Sequence, residues 1–367
     1  MRIKKLSLLN YKNIKQVDLN FSTHMNCFFG NNGMGKTNLL DAIYYLTFFK
    51  SHGHTLDKNL VRHDKELCTL KGLYEREGAN DEIFCAIRLG MRKVFRRNQK
   101  EYKKLSDHIG LIKLVLVSPD DIELIKGGSI ERRQFIDLVI MQQDTRYLNA
   151  LIQYNQLCKQ RNALLKAQNR DATTYDVIEE QMVSYATFIY EKRKQVIQDF
   201  VPVFNNYYQR ICSSAEKVSL HYISQLDSLD FAQQLKNNRE RDLIIGFTTI
   251  GTHKDDLEML LDEELIRRIG SQGQKKTFLI ALKLAQYKFM ADLGNCSPLL
   301  LLDDIFDKLD AKRVEEIIKL VAGKEFGQIF ITDTNRKYLD EILKNLKNDY
   351  ALFKVDQGEI EPMKIEA

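Results

Sequence analysis

Residues 25–46, MNCFFGNNGMGKTNLLDAIYYL, form the most informative segment of the sequence. A short apolar run comes first, a turn rich in Gly and Asn follows, and a segment with apolar residues at helical spacing ends the stretch. This order predicts a buried strand, a loop and a helix that begins at Lys36.

The loop of this stretch fits the pattern G-x-x-x-x-G-K-[ST] at every position: Gly30, Asn31, Asn32, Gly33, Met34, Gly35, Lys36 and Thr37. Its glycines let backbone N–H groups face a phosphate, and the helix that follows points its positive end there. We expect Lys36 to reach the β- and γ-phosphates of a nucleotide and Thr37 to bind Mg²⁺. The alternative is a chance Gly-rich turn, which the predicted strand and helix on either side disfavour.

A second apolar strand ends in two carboxylates, LLLLDD at 299–304. Next to a phosphate-binding loop, we expect Asp303 at Mg²⁺ and Asp304 beside an attacking water. Taken alone, the two acids would as readily cap the next helix. The loop and the acids together therefore indicate a nucleotide site with a metal ion.

A third segment, SQGQKKTFLIALKLA at 271–285, has a hydroxyl and a Gly at the predicted start of an amphipathic helix. Such a start can bind a phosphate, although Ser is also a common N-cap. The residues concerned are Ser271, Gln272, Gly273 and Gln274. Two phosphate sites in one chain predict ATP held between two copies, each of which provides half of the site.

The chain has 367 residues, a formal net charge of +5 and a pI of about 8.6. A balance this small does not by itself indicate nucleic acid, so local clusters must carry that argument. In RKVFRRNQKEYKK, residues 92–104, Phe95 and Tyr102 are interleaved with seven cations: Arg92, Lys93, Arg96, Arg97, Lys100, Lys103 and Lys104. The cluster is either a surface that binds DNA by structure more than by sequence, or a solvated hairpin face.

Cysteine usage and hydropathy predict a cytoplasmic protein. The six Cys are scattered without C-x-x-C or metal-ligand spacing, which indicates reduced thiols. No uninterrupted apolar run reaches the length of a membrane span.

Strand-like and helical segments alternate in residues 1–118 and 243–367, which predicts one discontinuous α/β lobe with a mixed, largely parallel sheet and flanking helices. Residues 119–242 instead have helical periodicity and predict an inserted α-helical lobe. It should contain an antiparallel hairpin of two helices of about 25 residues each, serving as a packed lobe or as a projecting arm. After it, DLIIGFTTIG at 242–251 is expected to be a strand.

Together, GNNGMGKTN, SQGQKKTFLIALKLA and LLLLDDIFDKLD resemble the ABC-type ATPase heads of the SMC and Rad50 class. The resemblance covers the whole chain and includes IKKLSLLNYKNI at 3–14, SPDDIELIKGGSIERRQFID at 118–137 and GTHKDDL at 251–257. The short helical insert resembles a bacterial branch that acts in DNA replication and repair.

The resemblance implies an ABC-type ATPase lobe with an α-helical second lobe. It also implies ATP binding, an ATP-dependent homodimer and slow hydrolysis. The expected targets are double-stranded and gapped DNA at stalled replication substrates, and the expected protein partners are RecO and RecR.

Some site residues are implied by the resemblance alone. Asn38 would join the loop in binding ATP, and Asp310, after Leu309, would be the D-loop at the dimer seam. The segment 271–274 would reach the γ-phosphate held by the other chain. Lys12 would contact the nucleotide from the start motif.

Three positions depart from the family pattern. Lys12 stands where such heads commonly carry Arg, Asp304 where Glu is usual, and Thr332 near the place of a switch His. Lysine lacks the bidentate geometry of arginine, and aspartate is one methylene shorter than glutamate. We therefore expect a weak ATPase that acts as a switch, with Asp304 as its general base.

Other functions remain as alternatives. A transporter subunit would normally show L-S-G-G-Q and a switch His, which this sequence lacks. A chromosome-organising head would need a long coiled coil, but Lys36 and Asp303 are only 303 − 36 = 267 positions apart. An ATP-dependent nuclease would need a further acidic domain after the ATPase. A head that serves another DNA-maintenance complex is the nearest competing interpretation.

Overall fold

The computed structural model describes residues 1–53, 56–212, 216–227, 230–294, 296–306, 309–323, 325–334, 340, 343 and 350–363. Its strands are β1 Arg2–Tyr11, β2 Ile14–Asn20, β3 Met25–Phe29, β4 Leu67–Arg76, β5 Ala79–Arg88, β6 Val94–Arg97, β7 Lys100–Glu101, β8 Leu114–Val117, β9 Val218–Ile223, β10 Asp256–Leu261, β11 Glu264–Leu265, β12 Leu299–Asp303, β13 Ile329–Asp333, β14 Tyr350–Asp356 and β15 Glu359–Met363. Its α-helices are α1 Lys36–Phe48, α2 Glu123–Lys126, α3 Ser129–Met141, α4 Thr145–Lys166, α5 Ala172–Ile211, α6 Phe231–Asn237, α7 Arg239–Ile245, α8 Ile266–Ile269, α9 Gln272–Leu293 and α10 Ala311–Ala322.

The chain forms two compact units. The first comprises residues 1–122, 207–213 and 272–367, and the second comprises residues 123–206 and 214–271. The functional boundaries predicted above, with lobes at 1–118 plus 243–367 and at 119–242, remain a proposal.

The first unit contains a six-stranded sheet in the order β15-β14-β3-β13-β12-β8. Every neighbouring pair in it is parallel except β14 and β15. The central strands are apolar and buried along their length because helices cover such sheets on both faces. This is the mixed, largely parallel sheet that the sequence predicts. It brings the carboxyl ends of β3, β12 and β13 to one edge, where α/β sheets bind ligands.

A second six-stranded sheet in the same unit is antiparallel, in the order β2-β1-β4-β5-β6-β7. Buried and more exposed residues alternate along β5, as expected when one face of a sheet covers the core. The basic cluster at 92–104 includes β6 and β7, so it lies at one end of this sheet.

Two long helices, α4 and α5, lie where the sequence predicts a helical hairpin, but they differ in length, and residues 207–211 of α5 belong to the first unit. α4 has 22 residues and α5 has 40, against the prediction of about 25 for each. α5 continues through Pro202 to Ile211 because buried side chains recur at helical spacing beyond that proline, at Phe204, Tyr208 and Ile211. The second unit also contains a three-stranded antiparallel sheet, β11-β10-β9, whose strand β9 lies in a segment predicted to be helical.

The strand predicted for residues 242–251 is wrong, because the chain forms helix α7 there. Asp242 and Leu243 face inward: Asp242 accepts a hydrogen bond from Arg161, and Leu243 joins a buried cluster with Tyr175. Gly246, with φ +81°, ends the helix. Only Leu243 of the apolar run Leu243 to Ile245 is buried, and Ile244 is 86% exposed, so the run is not a buried strand.

Candidate nucleotide-binding site

The loop between β3 and α1 adopts a conformation that favours glycine. Gly33 has a φ of +80° and Gly35 a φ of +112°, in the left-handed region. At Gly30 the constraint is space, because a Cβ there would lie 2.2 Å from the carbonyl oxygen of Val355 in β14. These glycines allow the loop to run close to the sheet and to enter α1 at Lys36.

Asn13, in the turn between β1 and β2, supports this loop. Its Nδ2 donates to the carbonyl oxygen of Met34 at 3.1 Å, and its Oδ1 accepts from Nδ2 of Asn38 at 2.8 Å. The N–H of Gly358 donates to the same carbonyl of Met34 at 2.8 Å. Sequence analysis missed Asn13 and Gly358, since both resemble ordinary turn residues. The predicted ligand residue Asn38 lies at the loop through its contact with Asn13.

Lys36 lies buried beneath the loop. Its Nζ donates to the carbonyl oxygens of Gly30 at 2.8 Å and Asn31 at 3.2 Å. Among the described residues, no carboxylate forms a close ion pair with Lys36, although its charge tends to lower the pKa of the nearby Asp303 carboxyl group. A buried ammonium that is held only by carbonyl oxygens fits an anionic phosphate.

Asp303 ends β12 directly beside the first turn of α1. Oγ1 of Thr37 lies 2.8 Å from Oδ2 of Asp303, although 266 positions separate the two residues. Asp303 is only 3% exposed, and burial raises the pKa of its carboxyl group, against hydrogen bonds from Thr332 and Thr37 that lower it. A divalent cation would relieve this cost.

The donor set fits Mg²⁺ shared with a nucleotide. A hydroxyl and a carboxylate are the two protein ligands that Mg²⁺ has beside a phosphate-binding loop. Across the described residues, no group of three or more His, Cys, Asp or Glu side chains is arranged to hold a metal ion by itself. Mg²⁺ would therefore need phosphate oxygens of the nucleotide to complete its coordination shell.

Asp304 follows with a strained backbone. Its φ is +44°, uncommon for a residue other than glycine. Its N–H donates to both the carbonyl oxygen and Oγ1 of Thr332, each at 3.2 Å. Nζ of Lys276, in α9, lies 3.5 Å from the carbonyl oxygen of Asp304. Thr332 thus fixes the direction in which the chain leaves β12.

The second predicted phosphate segment lies at the start of α9, which begins at Gln272 directly after Ser271. Ser271 and Gln272 are exposed, while Gly273 and Gln274 are partly buried. Inside the helix, Oγ1 of Thr277 donates to the carbonyl oxygen of Gly273 at 2.9 Å. The assignment of residues 271–274 to a second anion site remains a prediction.

Arg313, which sequence analysis missed, connects this segment to the predicted D-loop. A Cβ on Gly273 would lie 3.1 Å from Nη1 of Arg313. The carboxylate of Asp310 caps α10 by accepting from the N–H of Arg313 at 3.0 Å, and it also pairs with Nη1 at 3.3 Å. One guanidinium therefore lies between the two segments that the sequence assigns to the dimer seam.

Lys12 forms an ion pair with a carboxylate of α1. Its Nζ pairs with Oδ2 of Asp41, in α1, at 2.7 Å. Asp41 also accepts from the hydroxyl of Tyr11 at 2.7 Å, and burial raises the pKa of that hydroxyl, which keeps it protonated. Lys12 and Asn13 line an open cleft of about 900 Å³ that continues toward Arg62. Its predicted contact with the nucleotide remains a prediction.

The basic cluster divides into two sets. Lys93 pairs with Asp57 at 2.7 Å, and Arg97 binds Asp81 through both its Nε and Nη2. Within the described residues, five cations of the cluster form no ion pair and are exposed: Arg92, Arg96, Lys100, Lys103 and Lys104. Phe95 is buried, so the aromatic side chain predicted to be interleaved with the cations packs inward.

Among the described residues, no helix combines the length and the apolar character that crossing a bilayer requires.

Comparison with known proteins gives the family. A family model described as "RecF/RecN/SMC N terminal domain" matches residues 2–361. The DNA replication and repair protein RecF of Parabacteroides distasonis is 62% identical over 99% of this chain and 100% of its own length. The RecF of Porphyromonas gingivalis is 55% identical over 98% of this chain and 100% of its own length. The chain belongs to the RecF family.

Solved structures support the same placement. A structure of the recombination mediator protein RecF-ATP in the RecFOR pathway aligns with a TM-score of 0.87 and 27% identity, over 99% of this chain and 97% of that one. An Smc head domain from Pyrococcus furiosus aligns with a TM-score of 0.60 at 17% identity, over 98% and 95% of the two chains, which shows a shared fold. The predicted α/β ATPase-head fold and the membership in DNA replication and repair proteins are confirmed.

Proposed function

We propose that this chain is an ATP-dependent DNA-binding protein of recombinational repair and replication restart, which closes as a dimer on ATP. The observation that carries the proposal is the contact between Thr37 and Asp303 beside the buried ammonium of Lys36. RecF of the RecFOR pathway has been solved as RecF-ATP. The carboxyl ends of β3, β12 and β13 meet at one edge of the parallel sheet, where α/β sheets bind ligands, which supports the proposal.

In this proposal Lys36 leaves the loop carbonyls of Gly30 and Asn31 and binds the β- and γ-phosphates. The loop N–H groups from Gly30 to Asn38 orient the phosphates, and Thr37 with Asp303 would hold Mg²⁺, which would neutralise phosphate charge when bound. Lys12 would contact the nucleotide from the cleft side.

A second copy of the chain would complete the site. Ser271, Gln272, Gly273 and Gln274 of one copy would bind the γ-phosphate held by the loop of the other, through the positive end of α9. Asp310 would lie at the dimer seam, where Arg313 would connect it to the segment 271–274. Two identical sites of this kind give an isologous two-fold dimer.

Two other residues, Asp304 and Thr332, would make hydrolysis slow. Asp304 would take the proton of the attacking water as general base, with a shorter reach than Glu. At the switch position, Thr332 orients Asp304 through hydrogen bonds but cannot carry charge. ATP binding would close the dimer, and hydrolysis would open it.

DNA binding would use exposed cations that lack ion pairs within the described residues, with Arg96 and Lys100 at the tip of the β6–β7 hairpin. Phosphate contacts of this kind read DNA structure more than sequence. RecO and RecR are the protein partners we propose from family membership and from the RecFOR pathway of the solved relative.

Equilibrium ATP binding and phosphate release test the proposal in three variants. Lys36→Ala should weaken ATP binding by about 10- to 100-fold, which is the loss in affinity expected when one charge-assisted hydrogen bond is removed. Asp304→Asn should keep ATP binding and lose most hydrolysis. Lys15→Ala, an exposed cation of β2, serves as the control and should change neither. Unchanged ATP affinity in Lys36→Ala would overturn the site assignment.

A further inference from the structure

A pocket of about 300 Å³ lies at the base of the β6–β7 hairpin. Its apolar lining comes from Met91, Phe95, Tyr102 and Leu105. The pocket belongs to the antiparallel sheet, and β7 is the terminal strand of that sheet. The nucleotide site described above uses none of these residues.

The floor of the pocket is rigid. The ring of Phe95 stacks on Phe49 with a centroid distance of 3.9 Å. Nε2 of His108 donates to the carbonyl oxygen of Leu46 at 2.8 Å, so Nδ1 accepts from the hydroxyl of Tyr102 at 2.7 Å. A pocket held in this way is formed before any ligand arrives.

The mouth of the pocket exposes large apolar side chains to water. Met91 is 63% exposed and Leu105 is 47% exposed. Apolar side chains around a pocket with a rigid aromatic floor are typical of sites that take an anchoring side chain from a partner. The methionine can adapt to the shape of that side chain.

The charge around the mouth is mainly positive, although the exposed Asp107 lies within electrostatic reach of Tyr102. Arg92 follows Met91 directly, and Lys103 with Lys104 precedes Leu105; these three cations are exposed and have no ion pair among the described residues. The pocket lining contains a single acid, Glu101. Acidic ligands are therefore favoured, and basic ones are repelled.

We propose that this pocket binds an acidic segment of a partner protein, which inserts one aromatic or branched aliphatic side chain between Met91 and Leu105. The cations at the mouth bind the carboxylates of the segment. DNA would satisfy the cations but would leave the two exposed apolar side chains unused, so the pocket favours a peptide. The peptide and DNA would compete, because both need cations of the same hairpin.

Fluorescence anisotropy of the full chain with designed octapeptides tests this proposal. One labelled peptide has Glu and Asp around a central Leu-Phe pair, and its matched form has Ala-Ala at those two positions. The wild-type chain should bind the first peptide at least about 10-fold more tightly than the second, the value of one well-buried anchor. No binding of the first peptide up to about 1 mM, a free energy near −4 kcal/mol, would overturn the proposal.

The variant Met91→Ser with Leu105→Ser should lose at least about 10-fold in affinity for the first peptide and should bind a DNA duplex as the wild type does. Leu293→Ser, which alters an exposed leucine elsewhere in the first unit, is the matched control and should bind both ligands normally. All three altered residues are exposed, so the variants should melt at the wild-type temperature. An equal loss of duplex and peptide binding in the double variant would show a nucleic-acid surface and overturn the proposal. Because ATP binding needs none of these residues, failure here would leave the proposed function untouched.

Discussion

Thr332 holds Asp303 through a 2.5 Å hydrogen bond from its Oγ1 to Oδ1 of the carboxylate. The two residues are direct partners in the parallel pairing of β12 with β13. Thr37 approaches the same carboxylate from α1. The phosphate loop and the two central strands therefore meet at a buried acid whose charged form burial disfavours.

This relationship predicts that Asp303→Asn stabilises the ligand-free chain at pH 7. Burial raises the pKa of Asp303 in the folded state, so its charged form reduces stability once the pH exceeds that pKa. Asparagine has no charge to bury and can still accept from Thr332. Removing the buried charge should raise the free energy of unfolding by roughly 1 kcal/mol. Thermal melting at pH 7 should therefore show a melting temperature about 1–3 °C higher than that of the wild type.

The gain should shrink as the pH falls through the pKa of Asp303, because the wild-type carboxyl group is then protonated too. The variant should also lose the stabilisation that Mg²⁺ with ATP gives the wild type. A lower melting temperature than wild type at pH 7 would contradict the account of Asp303.

Gly30 should tolerate alanine less well than Gly33 does. A Cβ at Gly30 would meet the carbonyl oxygen of Val355 at 2.2 Å, so β14 must shift. At Gly33 the space is open and only the positive φ opposes a side chain. Chemical unfolding should give a loss of about 2 kcal/mol or more for Gly30→Ala and about 1 kcal/mol for Gly33→Ala. Equal losses would show that the sheet edge does not constrain the loop.

Arg193→Met should be strongly destabilising. The guanidinium is 2% exposed and binds Asp137 at 2.9 Å and Asp255 at 2.8 Å. Burial raises the pKa of Asp255, and its hydrogen bonds with Arg193 and Tyr222 lower it. Without Arg193 the buried Asp255 and the partly buried Asp137 lose a counter-charge, which costs about 3–5 kcal/mol.

The adjacent residue offers a matched control. Lys194 forms an exposed pair with Asp227 at 2.8 Å, so Lys194→Met should change the free energy of unfolding far less than Arg193→Met does, because solvent screens such a pair. Urea unfolding curves of the two variants measure the difference. Similar midpoints would mean that the GTHKDDL motif, which contains Asp255, does not stabilise the second unit as described.

The salt dependence of DNA binding should distinguish exposed from paired cations. Arg96→Ala with Lys100→Ala should reduce the slope of log K against log salt concentration by about 0.9 for each phosphate that the variant no longer neutralises. Arg97→Ala should leave the slope unchanged, because Arg97 is held by Asp81. Anisotropy with a labelled duplex over a range of salt concentrations measures both. An unchanged slope in the double variant would move the DNA surface elsewhere.

The parts of the site within one continuous stretch could be predicted from the sequence. The strand, the glycines and Lys36 lie next to one another in the chain, so their spacing is enough to predict the phosphate-binding loop. β12 could be predicted as a buried strand because its apolar run, Leu299 to Leu302, is unbroken.

The supporting contacts could not be predicted, because they join distant residues of ordinary type. Asn13 reaches Met34, and Arg313 reaches Gly273, without any motif that marks them. In the basic cluster, seven cations can be read from the sequence, but Asp57 and Asp81, which neutralise two of them, cannot be recognised there as their partners. The error at α7 arose because a short apolar run does not distinguish a turn of helix from a strand, and here most of the run is exposed.

Light scattering after size exclusion shows directly whether two copies of the chain enclose ATP. The wild type, of 42.8 kDa, should double in mass with Mg²⁺ and ATP, whereas Ser271→Arg should bind ATP and remain a monomer. Lys36→Ala should neither bind ATP nor dimerise. A wild-type chain that binds ATP and stays monomeric, or a Ser271→Arg variant that dimerises fully, would contradict the account.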